Sequence, residues 1–556
     1  MTLSAIDYAV VSQAILAGAR EMGTKLIRSA YSTILREARD GSAAILDRNG
    51  FTVAQAELIP MQLGTIGAIF QSCARIYDLD EVTPDDFFVM NDSYSGGQHL
   101  QDVFFFHPIF VGERRVGFAA SVAHHLDIGG GSPGLSPHAR DVHSEGLIIP
   151  PTKFSMTRDW NGGPLERILR ANVRAPLQTM GDFNAQIAAN RIGARRVSEL
   201  CERYGTEMVE TVMAEFQSYT ERRVRAGIAQ APDGVYHGES AIDDDGITDQ
   251  PVRVRSKVTI KGDRITVDYT GTDDQVTTNL NAPLAATISA TMSCVKSVLT
   301  APDIPFNDGL CRSVEVIVPE GCILNPRYPA PVRARMEICY RAFNATMKAL
   351  AQAVPEQVIA GGYDTTTVAC LSWLNEGRYS VYLEVFGGGY GAACDQDGCD
   401  AIDSPMSNCA NTPVEAIDQD YEFFRVEEYA LMPDSFGHGR HRGGAGFRRA
   451  FRILKDRATV ALYADRFKLA ASGLFGGTDG TTGACEIHRG DQVISLTSKD
   501  MQDLKKGDLV VFRFGGGAGY GPASERAPEA IEDDIRQGLL SEQEASRAYP
   551  NRVACG

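Results

Sequence analysis

The sequence predicts an α/β-mixed (α+β) fold in more than one domain: a helical and sheet N-terminal region, a β-rich body punctuated by glycine, and a short helical tail. Three observations predict it. The 556 residues exceed what one hydrophobic core serves, so about two to four domains are expected. Stretches with apolar residues at helical spacing are interspersed with stretches that alternate or run apolar like strands. Glycine clusters (FGGGYGA, GHGRHRGGAGF, GLFGGTDG, FGGGAGYGP) then break up the second half without forming a true repeat. The divisions expected are residues 1–230, 231–525 and 526–556.

In chain order, Ile6, Val10, Ile15, Met22, Ile27, Tyr31 and Leu35 keep helical spacing over Ala5–Arg39, which predicts one long helix or two, ending near REARDG. AAILDRNGFTVAQ reads as a hairpin turning at Asn49-Gly50. DFFVMND is a strand running into a glycine-bearing loop, and VFFFHPIFVGERRVGFAASVAHH is two strands joined at GERR. The stretch from GDFNAQIAAN to ERRVRAGIA is strongly helical. PVRVRSKVTIKGDRITVDYTGT alternates like an antiparallel pair turning at Gly262-Asp263, and NAPLAATISATMSCVKSVLT and EICYRAFNATMKALAQAV read as buried helices. The tail reads as two short helices, with Ser541 and Glu544 spaced as a capping box at the second.

The bulk numbers exclude several classes. Apolar content of 44% and charged content of 22% are ordinary for a globular protein. A net charge of −17 and the lack of a Lys/Arg block argue against nucleic acid. No apolar run approaches the ~18 residues that a membrane span needs. The twelve cysteines form no CxxC pair, so no zinc ribbon or thioredoxin-type motif is expected. The start, MTLSAIDYAVVSQAI, lacks the features of a secretion signal; a cytoplasmic chain with mostly reduced, core-filling cysteines is expected.

Histidine is where the chemistry concentrates: six of the chain's ten lie between His99 and His143. His99 and Asp102 stand three residues apart in a loop entering one predicted strand, and His124 closes the returning strand. Ends of neighbouring strands bring such residues together. Two imidazoles and a carboxylate suit Zn, Mn or Fe(II) with positions left for water or substrate, and Asp40, just past the first helix, is a candidate fourth oxygen ligand. His124 and His125 are strand neighbours and point to opposite faces, so only one faces the ion. Spacing alone leaves open that these are separate hydrogen-bonded residues at strand ends. His107, mid-strand, reads as structural, and His138 and His143 lie in a loop. Gly130–Gly134 matches G-x-S-x-G, but the residue after the serine is Pro133, which has no N–H for an oxyanion hole; a plain turn is expected. No G-x-x-x-x-G-K-[ST] loop is present, so ATP, if used, binds another chain.

At NDSYSGGQHLQDV, HHLDIGGGSPG, SEGLIIPPTKF, NVRAP, GDFNAQIAAN, VDYTGT, IPFNDGL, FGGGYGA, NTPVEA, DSFGHGRHRGGAGF and GGGAGYGP, covering about residues 20–535, the sequence resembles the hydantoinase B/oxoprolinase family, to which acetone and acetophenone carboxylase subunits are related. The resemblance implies a divalent metal held by His99, Asp102 and His124 with Asp40 adjoining. It also implies an A-type partner subunit of actin-like ATPase fold that binds ATP and Mg, in a hetero-oligomer. The activity implied is ATP-driven opening of a cyclic amide: hydantoin, N-methylhydantoin, 5-oxoproline or a lactam. Asp40 would ligate the ion or act as base, and His125, or His138 and His143, would orient the ligating residues. Gln101 stands where the family has proline, and Tyr390 where an aromatic such as Trp is frequent; neither change removes a ligand. The alternatives are a ketone carboxylase subunit, whose counterparts are typically longer, and a non-catalytic scaffold.

Overall fold

A computed structural model describes residues 3–550; Cys555 lies outside them. The architecture is the α/β-mixed, multi-sheet one expected. The chain forms two compact units, residues 1–236 with 256–335, and residues 237–255 with 336–556.

The first unit is built on a six-stranded antiparallel sheet. Its strands are β1 (Gly41–Asp47), β2 (Thr52–Gln55), β3 (Asp86–Met90), β4 (Asp102–Val111), β5 (Arg114–His124) and β6 (Thr152–Ser155), in the order β2-β1-β5-β4-β3-β6. The β1–β2 turn has Gly50 at φ 85° and the β4–β5 turn has Gly112 at φ 60°, conformations that glycine adopts without strain. Both faces of the sheet are covered, which is why VFFFHPIF reads as a nearly continuous apolar run. Phe104 and Phe106 pack with Phe88, Phe118 and Phe70 of helix Ile66–Ala74 on one face. Val103 and Phe105 pack with Phe183 and Ile187 of helix Pro176–Tyr204 on the other.

The first helix is two. Ala5–Ser29 starts at Ser4, whose Oγ accepts the Asp7 N–H at 3.1 Å, and the chain becomes extended at Ala30 before a short helix Thr33–Arg36. The break is held by Asp182 of Pro176–Tyr204, which accepts the N–H groups of Tyr31 at 2.7 Å and Ser32 at 3.1 Å. The two long helices cross closely at Gly193, where a Cβ would lie 2.2 Å from Met22 Sδ. Strand Val252–Lys261 turns at Gly262-Asp263 into Arg264–Asp268, which pairs in parallel with Val314–Ile317.

The second unit holds a four-stranded sheet (Arg378–Phe386, Thr367–Asn375, Ala458–Tyr463, Lys499–Leu504) and a five-stranded one (Phe424–Leu431, Phe447–Ile453, Leu509–Phe514, Ala484–Arg489, Gln492–Leu496), around an aromatic core that includes Tyr382, Phe386, Phe424, Phe451 and Phe512. Its glycine clusters pack on one another. Gly389 N–H donates to Gly515 O at 2.9 Å and Gly517 N–H to Gly444 O at 2.9 Å; a Cβ on Gly389 would stand 1.8 Å from Gly444 O. The clusters are thus a backbone-to-backbone junction that any side chain would pry apart.

The tail helices Pro528–Arg536 and Glu542–Ala548 pack Ile531, Ala545 and Tyr549 on Phe436, and Asp534 is gripped by Arg442 at 2.8 Å and Arg526 at 2.7 Å. Ser541 Oγ accepts the Glu544 N–H, as the capping pattern predicts. No disulfide joins the cysteines of the described residues, and Cys73, Cys294 and Cys485 are among those fully buried. No described helix is long and apolar enough to cross a membrane.

Candidate functional site

The sheet register assembles the histidine-rich end of the first unit. β5 pairs with β1 so that Ala123 faces Gly41, and with β4 so that His124 faces Asp102. Asp40, immediately before β1, therefore lies beside His124, whose N–H donates to Asp40 O at 3.0 Å. Asp40 follows Arg39, which sits at φ 65°, a left-handed conformation that is uncommon for a side-chain-bearing residue. His99 precedes β4 in a turn closed by Asp102 N–H to His99 O at 3.1 Å.

Side chains then converge. His99 Nε2 is 3.3 Å from Asp102 Oδ2, and the His99 and His124 rings are 5.0 Å apart. Gln62 Nε2 donates to Asp40 Oδ1 at 2.9 Å and to Asp102 Oδ1 at 3.4 Å. On the other side of Asp102, Arg335 Nη2 donates to Oδ2 at 2.6 Å and to Gln98 Oε1 at 3.0 Å. His99 Nδ1 is 3.2 Å from the Arg333 carbonyl, which makes Nδ1 the protonated nitrogen and leaves Nε2 with a lone pair. The loop carrying Arg333 and Arg335 is clamped by Glu145, whose carboxylate accepts the N–H groups of Val332 at 3.0 Å and Arg333 at 2.8 Å.

Burial sets the charges. It pulls His99 down to about 4, helped by Arg335, and His124 well below its ordinary value, helped by His99, so both rings are neutral near pH 7. Burial alone would raise Asp102, but with His99 neutral it is the Arg335 guanidinium at 2.6 Å that holds the carboxyl ionised, below the usual carboxylate range. A neutral imidazole pair beside an ionised carboxylate is the donor chemistry that a divalent cation takes. His99 Nε2 and His124 Nδ1 are moreover buried without a hydrogen-bond partner. The donors fit in type and protonation, and lie side by side. Among the described residues, however, no three His, Cys, Asp or Glu side chains converge as a finished ligand set.

The remaining histidines sit elsewhere. His125 points to the opposite face, as strand alternation requires. Its ring lies 3.8 Å from that of Phe183, and Nε2 is 3.1 Å from Gln186 Oε1, while Nδ1 is buried without a partner. It makes no hydrogen bond to Asp40, His99, Asp102 or His124; its place is in the wall behind the strand end. His107 is stacked near Phe87 and Phe105 with Nδ1 3.0 Å from Asn190 Nδ2. His138 and His143 are exposed, the latter bonded to Tyr328 Oη at 2.7 Å. Gly130–Gly134 is a turn whose carbonyls at Gly130 and Gly134 accept from Arg174 and Arg333. Sequence reasoning missed Gln62, Gln98, Glu145, Arg333 and Arg335. The signal for the last two was the pair of arginines that opens PVRARMEICYRAF, at the mouth of a stretch otherwise read as a buried helix.

The family model described as Hydantoinase B/oxoprolinase matches residues 4–523. The chain belongs to that family. It is 35% identical to a Pseudomonas protein named for the B-type chain of a D-/L-hydantoinase, over 95% of this chain and 92% of that one. The crystal structure of the ATP-dependent caprolactamase from Pseudomonas jessenii superimposes with a TM-score of 0.90 at 27% identity, covering 99% of this chain and 96% of that chain. A nucleotide-free acetone carboxylase shares the fold, with a TM-score of 0.88 at 20% identity over 98% of this chain and 79% of that one.

Proposed function

We propose that this hydantoinase B/oxoprolinase family member is the metal-bearing subunit of an ATP-dependent cyclic amide hydrolase. It acts with a separate ATP-binding A-type subunit on a hydantoin, 5-oxoproline or lactam ring. What supports the reading is that His99, Asp102 and His124 are neighbours at one sheet end, with Asp40 linked to Asp102 through Gln62, in a chain matched by the family over residues 4–523. The names of the relatives, an ATP-dependent caprolactamase and the B-type chain of a hydantoinase, support the reaction class and the partner.

Amide resonance makes an unstrained cyclic amide a poor electrophile. Phosphorylating its oxygen converts that oxygen into a leaving group and exposes the carbon to water; ATP supplies the phosphoryl group from the partner. In this chain His99, His124 and Asp102 would hold one divalent cation, Zn, Mn or Fe(II), which when bound supplies a lowered pKa for its water, toward ~7, or polarisation of the activated carbonyl. Asp40 either joins that ligand set or accepts the proton of the attacking water. Arg333 O keeps His99 in the tautomer with Nε2 available, and His125, held by Gln186, fixes the strand end that carries His124.

The test is ring opening by the full chain reconstituted with its ATPase partner, in CO₂-depleted buffer, with elemental analysis of the purified chain. ATP-dependent opening that is lost in Asp40→Ala and His124→Ala is expected, with the ion lost in His124→Ala and held more weakly, but still measurably, in Asp40→Ala. Both variants keeping turnover and ion content would overturn the reading. Label from bicarbonate appearing in the product would instead make the chain part of a carboxylase.

A further inference from the structure

The two carboxylates of the site come from distant parts of the chain, and one neutral side chain touches both. Gln62, on the short helix Pro60–Leu63, is buried. Its Nε2 donates to Asp40 Oδ1 at 2.9 Å and to Asp102 Oδ1 at 3.4 Å. Two anionic acceptors fix which way the amide faces, because the reversed amide would set Oε1 against both carboxylates. Gln62 Oε1 is buried with no hydrogen-bond partner, a desolvation penalty that an apolar residue would not carry. Packing alone therefore does not account for glutamine here. Gln98, which donates to Met61 O at 2.6 Å and accepts from Arg335, ties the same short helix to the arginine on the far side of Asp102.

Resting on the metal reading above, we propose that Gln62 is a positioning residue that yokes Asp40 to Asp102. By holding the Oδ1 atoms of both, it fixes the rotamers of the two carboxylates and keeps Asp102 Oδ2 turned toward His99 Nε2, 3.3 Å away. Gln62 thus acts on a divalent cation through the carboxylates, and its loss loosens the ligands rather than removing one.

The experiment measures Mn(II) binding by electron paramagnetic resonance, and the Co(II) absorption spectrum, on the full chain. Gln62→Met keeps the length and removes the amide. It is expected to weaken Mn(II) binding about 10–100-fold, as loss of an outer hydrogen-bond partner typically does, and to change the Co(II) bands. In an Asp40→Ala background the same substitution is expected to cost less than about threefold, because residues that act through one another are not additive. Gln62→Met binding within twofold of wild type, or two losses that simply multiply, would overturn the proposal. Should Gln62→Met fail to fold, Gln62→Asn, which draws the amide back by one methylene, carries the same comparison. Wild-type chain that binds neither ion overturns the metal reading and this inference together; wild-type binding with an indifferent Gln62 overturns only the latter.

Discussion

Asp102 and Glu384 are both buried carboxylates paired with a buried arginine, one in each compact unit, and their surroundings differ. Glu384 meets Arg449 at 3.0 Å. Its Oε1 accepts the Thr412 N–H at 2.7 Å, its Oε2 accepts the Tyr382 hydroxyl, and the guanidinium lies against Phe386, Tyr429 and Phe451. Burial raises this carboxyl despite Arg449. Asp102 meets Arg335 at 2.6 Å, but its other neighbours are an imidazole nitrogen and an amide, and two ring nitrogens nearby lack partners. A buried ion pair by itself marks no site. An unpartnered N–H such as Arg449 Nε does not either; imidazole lone pairs without partners beside it do, because a cation can take them.

The largest effects test this contrast. Glu384→Gln leaves Arg449 buried and uncompensated and should lower the unfolding free energy by about 3–5 kcal/mol in urea titrations, with Mn(II) affinity unchanged. Asp102→Asn strands Arg335 in the same way and should cost a similar amount, but it should also abolish Mn(II) binding. Equal ion binding in the two variants would erase the distinction between the regions. His124→Ala comes next. It removes a ring with an unpartnered nitrogen, so turnover in the reconstituted complex should fall at least on the order of 100-fold, while stability changes by only about 1 kcal/mol.

His107 sharpens the contrast within one strand. It shares β4 with Asp102, and burial pulls it down to about 3, as it pulls down His99. Its Nε2 is also buried without a partner, yet the ring lies nearly parallel to Phe87 at 5.5 Å and its polar contact is Asn190 rather than a buried ion pair. His107→Phe should retain ion binding and turnover and cost at most about 1 kcal/mol, the worth of that one hydrogen bond. A lowered histidine pKa thus reports burial, and only the neighbours decide whether burial serves packing or chemistry.

What the sequence made legible follows the same line. The β4–β5 hairpin, the turn at Gly262-Asp263 and the buried helix Leu284–Leu299 are local patterns, and local patterns survive folding. Histidines among strand-formers stand out because imidazole is otherwise rare in such runs. Gln62 and Arg335 did not stand out. Their meaning lies in contacts 40 and 233 residues away in sequence, and neither residue type is unusual in a helix. Alternation told that His125 faces away from His124, but not that Phe183 and Gln186 receive it. Each glycine cluster read as a bend, whereas their mutual packing is a tertiary fact. The exchange of residues 237–255 and 256–335 between units is likewise set by long-range contacts that local periodicity does not encode.

The smallest expected effect is a slope rather than a loss, and it comes from Glu145. Burial pushes its carboxyl up to about 7, against the pull of the Val332 and Arg333 N–H groups and the Arg333 charge. In the unfolded chain a glutamate titrates near ~4.3. Between those values the folded protein holds a proton that the unfolded chain has shed, so this group's contribution is fully present below ~4 and is lost as pH rises through about 7. Glu145→Gln cannot titrate. Its unfolding free energy in urea at pH 5 and pH 8 should therefore fall less with rising pH than that of wild type, and parallel slopes would mean the clamp carries no proton in this range. The same clamp fixes the loop that gives His99 its acceptor and Asp102 its arginine. A matching pH dependence of Mn(II) affinity in wild type, absent in Glu145→Gln, would therefore separate a clamp that serves the site from one that serves only the fold.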